Sequence, residues 1–413
     1  MDVLDFSKDL PSWLDQDLFD QAIQSYESDP QAKVTSFELK SATTPGENLA
    51  SAVFRATIKF TSKFSKDEKE MTMIIKTHPA TSDSAIESLS ETSMFKSETA
   101  MYLNVLNKIQ DLFNNAGYED KLCPRLIYQT TTPKPVIILE DVNKSGFDTS
   151  IKSIHEDFEV SKLVLRRLAR FHAAGYYLND EQKIDVTPFD ACIFKVEFWA
   201  NMIYGYSYDI LLKLMVNWEG FEEFIEPIRK MRENLHANIC KIYTPNKGTG
   251  AYNVLNHGDF HFKNVLYKMD KEGGKIKDFL MYDYQIPVYA TPAIDICYFL
   301  YNFVNDEDRI VRFNEILAIY HSQFVESLKT FGYLKQPPSL LDLQIEMLKS
   351  GHLQVQCAML LYPLMILDMT TLTSDDLTSG VNLFNEKTFS QERFIKMIKN
   401  ELKIFMHKGF LEN

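Results

Sequence analysis

Apolar positions recur first at helical spacing and then, abruptly, at alternate residues. In SWLDQDLFDQAIQSYE (12–27), Trp13, Leu14, Leu18, Phe19, Ala22 and Ile23 fall on one face at steps of three and four, which predicts an amphipathic helix. VTSFELKSA (34–42) alternates instead, and SAVFRATIKFTSKF (51–64) does so more strongly, with Val53, Ala56, Ile58 and Phe60 marking a half-buried strand and its neighbours. MTMIIKTHP (71–79) predicts another strand, stopped at Pro79 because proline has no N–H for a ladder. The helical period returns over ETSMFKSETAMYLNVLNKIQDLF (91–113), and LCPRLIYQT and PKPVIILEDV then predict two more strands. The N-terminal third is mostly strands with one inserted helix.

After residue 155 the pattern changes. FEVSKLVLRRLARFHAAGYYL (158–178) predicts a long amphipathic helix, and residues 196–241 hold further helix. VLYK (265–268) and FLMYDY (279–284) predict a hairpin whose turn contains the pair Gly273–Gly274. From about 293 onward the chain reads as helix. CAMLLYPLMIL (357–367) is its most apolar run, too short to span a bilayer and interrupted by Pro363, so a buried helix is expected. The sum is α+β: a small mainly-β lobe with one key helix (1–141), then a larger, mainly helical lobe (142–413).

Composition narrows the function classes. A chain of 413 residues exceeds one ordinary core, so two domains or two lobes sharing a cleft are expected. A net charge of −13 argues against general affinity for nucleic acid or for anionic membrane surfaces. The five cysteines are far apart, odd in number and form no CxxC pair, which predicts reduced thiols rather than a disulfide framework or structural zinc. MDVLDFSKDLPSWLDQ has neither a basic nor an apolar leader segment, so a cytoplasmic protein is expected.

The polarity that needs explaining lies in LNHGDFHFKN (255–264), set between apolar runs. Asp259 and Asn264 are separated by the D-x-x-x-x-N spacing of a phosphotransferase loop. There an aspartate orients a hydroxyl and accepts its proton, while an asparagine oxygen ligates Mg²⁺. Asp283 ends an apolar strand beyond a hairpin, where kinase architecture places its second metal ligand. Lys76 sits inside an apolar strand, so it either snorkels from an edge or has an anionic partner. Glu98, in the following helix, is the candidate partner. VIILEDV (136–142) carries a strand to a connector whose backbone groups can meet an adenine edge.

The order GENLASAVFR, IIKTHP, FKSETAMY, VIILEDV, LARFHA, HGDFHFKN, MYDYQ and TPAIDICYFL resembles the ecdysteroid kinase-like family, one of the choline kinase-like and aminoglycoside phosphotransferase-like small-molecule kinases. The resemblance runs from about residue 34 to about 305, and PSWLDQDLFDQAI resembles the family's first helix. It implies a two-lobed protein-kinase-like fold and ATP- and Mg²⁺-dependent phosphorylation of a small-molecule hydroxyl. Asp259 would be the catalytic base, Asn264 and Asp283 the Mg²⁺ ligands, and Lys76 the phosphate contact paired with Glu98. Glu140 and Val142 would lie at the adenine. The chain departs from the broader kinase pattern in two places. It has no GxGxxG, so phosphate cradling falls to the backbone around Asn48 to Ser51, and Gln285 stands where a DFG motif has glycine.

Several readings stay open in the sequence. His257 is expected to pack under the loop. His261 reads equally as a turn residue or as a phosphate neighbour. His172 reads as a core histidine. Asp295 resembles a family position that braces the loop, with a cap on its own helix as the other reading. The acceptor would be a steroid of ecdysteroid type or a xenobiotic alcohol, the latter in detoxification. Its pocket is expected around residues 196–220 and 350–370, lined by Phe198, Trp199, Tyr204, Tyr206, Tyr208 and Trp218. Two other classes compete: a pseudokinase-type binding protein, and a metal-dependent hydrolase using His257, Asp259 and His261. The second leaves Lys76, Glu98 and Asp283 unexplained.

Overall fold

The computed structural model describes residues 11–42, 51–77, 94–148, 157–248, 251–270, 274–368 and 384–412. In chain order the main elements begin with helix α1 (Gln16–Glu27) and strands β1 (Lys33–Ser41), β2 (Ala52–Ser62) and β3 (Ser65–Thr77). Helix α2 starts at Phe95–Ala100 and continues through a π-helical stretch, Met101–Leu106, into Asn107–Asn115. Strands β4 (Leu126–Thr130), β5 (Val136–Glu140) and β6 (Phe147–Asp148) follow, then helices α3 (Phe158–Asp180) and α4 (Glu222–Ile242). Strands β7 (Val254–Asn256), β8 (Val265–Met269), β9 (Ile276–Met281) and β10 (Val288–Ala290) precede helices α5 (Ala293–Asn302), α6 (Asp306–Val311), α7 (Phe313–Thr330), α8 (Leu340–Lys349) and α9 (Glu392–His407).

These elements form two compact units. The first holds residues 1–107, 120–149 and 266–285. Its sheet is antiparallel, in the order β1-β2-β3-β5-β4. Period-two alternation sends Phe54, Ala56, Ile58 and Phe60 of β2 to one face, where they meet Met73, Ile75, Val136 and Ile138. Helix α1 covers that face with Leu18, Phe19, Ala22 and Ile23, and Asp15 caps its start by accepting from Leu18 N at 3.1 Å. Val53 differs from the sequence expectation: it is only half-buried and points to the opposite face, because the core-facing phase of β2 begins at Phe54.

The units do not follow the linear division at 141/142. Strands β8 and β9 continue a three-stranded sheet from β6, and Leu280 packs with Val142, Phe147 and Leu266. That burial joins the hairpin to the first unit, although more than a hundred residues of chain intervene.

The second unit holds residues 108–119, 150–265 and 286–413 and is mainly helical. Helices α3 and α7 pack together, and α3 also covers β7. Every residue of α5 is buried, which makes it the unit's central helix. Arg309 is buried beside it, with Nε donating to Glu401 Oε1 at 2.8 Å and Nη2 to Asp306 Oδ1 at 3.1 Å. All five cysteines are free. Among the described residues no helix is long and apolar enough to cross a membrane.

Candidate active site

In the first unit the site is built on β3. The strand is exposed over its first half and buried over its last, and Lys76 points away from the face that holds Ile75 and Met73. Its Nζ lies 2.7 Å from Glu98 Oε2 and 2.5 Å from Asp283 Oδ1. Lys76 is 6% exposed and Glu98 1%, so the lysine is not a solvated edge residue. Burial pushes the Lys76 ammonium down, but Asp283 and Glu98 together outweigh it and hold the pKa above the ordinary value. Burial pushes the Glu98 carboxyl up to about 7; Asp283 reinforces this, while Lys76 and a hydrogen bond with Gln285 oppose it.

Asp283 has a φ of +67°, a left-handed conformation that an aspartate adopts more readily than most residues. Just before it, β9 delivers the chain rigidly, with Phe279, Leu280 and Met281 fully buried. Ser51 is buried at the foot of β2, while Asn48 lies outside the described residues. The Glu140 side chain is committed to Lys121 and to Arg125 N, its own N–H donates to Arg125 O at 2.9 Å, and Val142 is buried. Behind them Arg55 Nε donates to Asp141 Oδ2 at 2.9 Å, fixing the connector to β2.

In the second unit the loop after β7 carries Asp259. Gly258 has a φ of +86°, and a Cβ there would lie 1.8 Å from Ile286 O, so only glycine fits between the two histidine-bearing strokes of the turn. Asn264 Nδ2 donates to Asp259 O at 3.0 Å and to Asp259 Oδ2 at 3.1 Å. With its nitrogen turned to the aspartate, Asn264 keeps Oδ1 as a hard oxygen acceptor. His261 Nε2 lies 3.3 Å from the same Asp259 Oδ2. Burial pushes the Asp259 carboxyl up, yet His261, His257 and Asn264 outweigh it and hold the pKa below the ordinary carboxylate value.

A buried carboxylate sits under this loop. Asp295 of α5 accepts from His257 N at 2.6 Å and from Gly258 N at 2.9 Å, a bracing contact. The same carboxylate meets His172 Nε2 at 3.0 Å. Asn256 Nδ2 lies within hydrogen-bond reach of the carbonyls of Val254, Val288, Ala290 and Thr291, which fastens β7 to β10. Sequence reasoning missed Asn256, Arg55 and the pairing of His172 with Asp295. Their partners lie far away in the chain and no periodicity marks them.

Of the aromatic residues expected around an acceptor, Tyr208 is fully buried and Trp218 packs against Phe221 and Phe394. Tyr206 is exposed, and the Phe198 side chain lies outside the described residues. Tyr204, in the π-helical stretch Asn201–Ser207, donates to Gln356 Oε1 at 2.7 Å, just before a second π-helical stretch, Cys357–Leu361. Among the described residues no group of three or more His, Cys, Asp or Glu is placed to hold a metal ion, and His257, Asp259 and His261 form none. A Mg²⁺ ion asks for less: one or two hard oxygens from the protein, with phosphates and water completing its shell. Taken separately, the Asp283 carboxylate and Asn264 Oδ1 are each oxygens of that kind.

Solved structures give distant likenesses only. An amicoumacin kinase in complex with AMP-PNP and Ca²⁺ is 11% identical, with 94% of each chain covered and a TM-score of 0.39. The GDP complex of an aminoglycoside 2′-phosphotransferase is 12% identical, covering 91% of this chain and 98% of that one, with a TM-score of 0.36. A type I macrolide 2′-phosphotransferase is 12% identical over 83% of this chain and 91% of its own, with a TM-score of 0.34. No curated protein matches the chain in sequence. The family assignment comes from the sequence pattern: the model of the ecdysteroid kinase-like family matches residues 45–333, and the chain belongs to that family.

Proposed function

We propose that this protein is an ATP- and Mg²⁺-dependent phosphotransferase acting on a hydroxyl of a small molecule, an ecdysteroid-type steroid or a xenobiotic alcohol, in the cytoplasm. The observation that carries the reading is the buried Lys76 ammonium held between Glu98 and Asp283. A charge kept in the interior of a strand by two acids is ready to receive phosphate oxygens and is no solvated surface lysine. Mg²⁺ and ATP, when bound, supply a phosphoryl group whose charge is already partly neutralised.

The chain's own residues then have distinct tasks. Lys76 binds the α- and β-phosphates, and Glu98 fixes its direction. Asp283 and Asn264 give oxygens to the metal. The backbone around Asn48 and Ser51 cradles phosphate, and backbone groups of Glu140 and Val142 meet the adenine edge. Asp259 orients the acceptor hydroxyl and takes its proton. His261 and Asn264 both contact Oδ2 of Asp259, which leaves Oδ1 as the oxygen to receive that proton. The depressed pKa keeps Asp259 ionised and ready to accept it at neutral pH.

The test is ADP release and acceptor mass gain over a panel of hydroxylated steroids and phenolics. Turnover with at least one acceptor is expected, and Asp259→Asn should slow it on the order of 10³-fold with little change in KM for ATP. Retained turnover in Asp259→Asn would remove the proposed base. ATP binding that needs no Mg²⁺, with no acceptor ever phosphorylated, would favour a pseudokinase.

A further inference from the structure

Three buried side chains beneath the Asp259 loop form a chain with one direction. Asp295 accepts the backbone N–H groups of His257 and Gly258, and it also faces His172 Nε2 at 3.0 Å. On the other side of the ring, His172 Nδ1 lies 2.7 Å from Tyr320 Oη. Asp295, His172 and Tyr320 are each 0% exposed and stand on α5, α3 and α7. Both Asp295 oxygens already accept amide N–H groups, so the Nε2 facing that carboxylate is the ring nitrogen that carries a hydrogen. In the tautomer with its hydrogen on Nε2 the ring has a bare Nδ1, which in a dry site needs a donor. Tyr320 Oη–H is that donor. Burial pushes the Tyr320 phenol well above its ordinary pKa, so the hydrogen stays on it.

We propose that Tyr320 is a positioning residue for the Asp259 loop: by donating to Nδ1 it holds His172 as the Nε2–H tautomer, and His172 keeps Asp295 aimed at the amides of His257 and Gly258. The kinetic part of this rests on the phosphotransferase reading; the tautomer and the amide bonds do not. Nothing in periodicity connects Tyr320 with position 259.

The test uses Tyr320→Phe in the full chain, which keeps the ring and removes the donor. Imidazole ¹⁵N spectra, with His172 assigned through His172→Gln, should show the Nε2–H tautomer in the wild type and its loss in Tyr320→Phe. Amide exchange at His257 and Gly258 should quicken by about tenfold, the effect of one hydrogen bond of ordinary strength. Turnover should fall about tenfold with KM for ATP unchanged. His172→Gln, which can donate to Asp295 and accept from Tyr320, should keep exchange at 257 and 258 slow. An unaltered tautomer and unaltered exchange in Tyr320→Phe overturn the proposal. So does a uniform rise in exchange across α3 and α7, which marks a packing role alone. Wild-type protein with no phosphotransfer overturns the phosphotransferase reading, and the tautomer and exchange data then decide the relay by themselves.

Discussion

Glu98 shows how far a single side chain can be moved by its surroundings. In sequence it is a helix glutamate with a strand lysine upstream, a pair that the kinase pattern makes legible. What the sequence does not show is that burial pushes its carboxyl up to about 7 from an ordinary 4.5. A carboxyl whose pKa is higher folded than unfolded holds its proton more tightly in the folded protein. Its stabilising contribution is complete below about pH 4.5 and is lost as pH rises through about 7. Urea denaturation of wild type and Glu98→Gln between about pH 5 and 8 checks the sign: the wild type should lose stability relative to the variant as pH rises. A gain would mean that the Lys76 ion pair, not desolvation, controls the group. Asp259 is the opposite case, with neighbours that outweigh burial.

Among the secondary-structure elements, the strands and long helices of the sequence reading are observed, and the differences lie in phase and partners. Alternation puts Val53 with the apolar set of β2, but Phe54 holds that place, because one residue of phase exchanges the two faces of a strand. Helix α6 offered no apolar signature of its own. Its Arg309 is nonetheless buried against Glu401 of α9, ninety-two residues away. Arg309→Leu leaves Glu401 buried without its charge partner, with only Tyr301 Oη still donating to it, and should cost about 3–5 kcal/mol in denaturant unfolding. Replacing both residues by leucine should recover much of that loss, since the penalty is the isolated charge. A double variant no better than the single would show that the arginine's packing, rather than its pairing, holds α9.

In the molecule as a whole, the units cut across chain order. The first needs residues 266–285 as well as residues before 150, because Leu280 and Leu266 fill the space beside Val142 and Phe147 and Asp283 completes the Lys76 pairing. A fragment of residues 1–149 should therefore lack a sharp cooperative unfolding transition, and tethering 266–285 to it through a Gly/Ser linker should restore one. A sharp transition in the untethered fragment would show that the hairpin is dispensable to the unit's core.

Local pattern by itself determined the class of each long element and the α+β organisation, because spacing and alternation are properties of neighbours along the chain; the ordered motifs carried the resemblance to the family, and with it the choice of Asp259, Asn264, Asp283, Lys76 and Glu98 as candidates. The tertiary structure alone decided which strand face is core, where the first unit closes, that Asp295 braces the loop, and that His172 answers to Tyr320. Those outcomes depend on partners distant in sequence that meet in a dry interior, where an unpaired polar group is costly and so the pairing is specific.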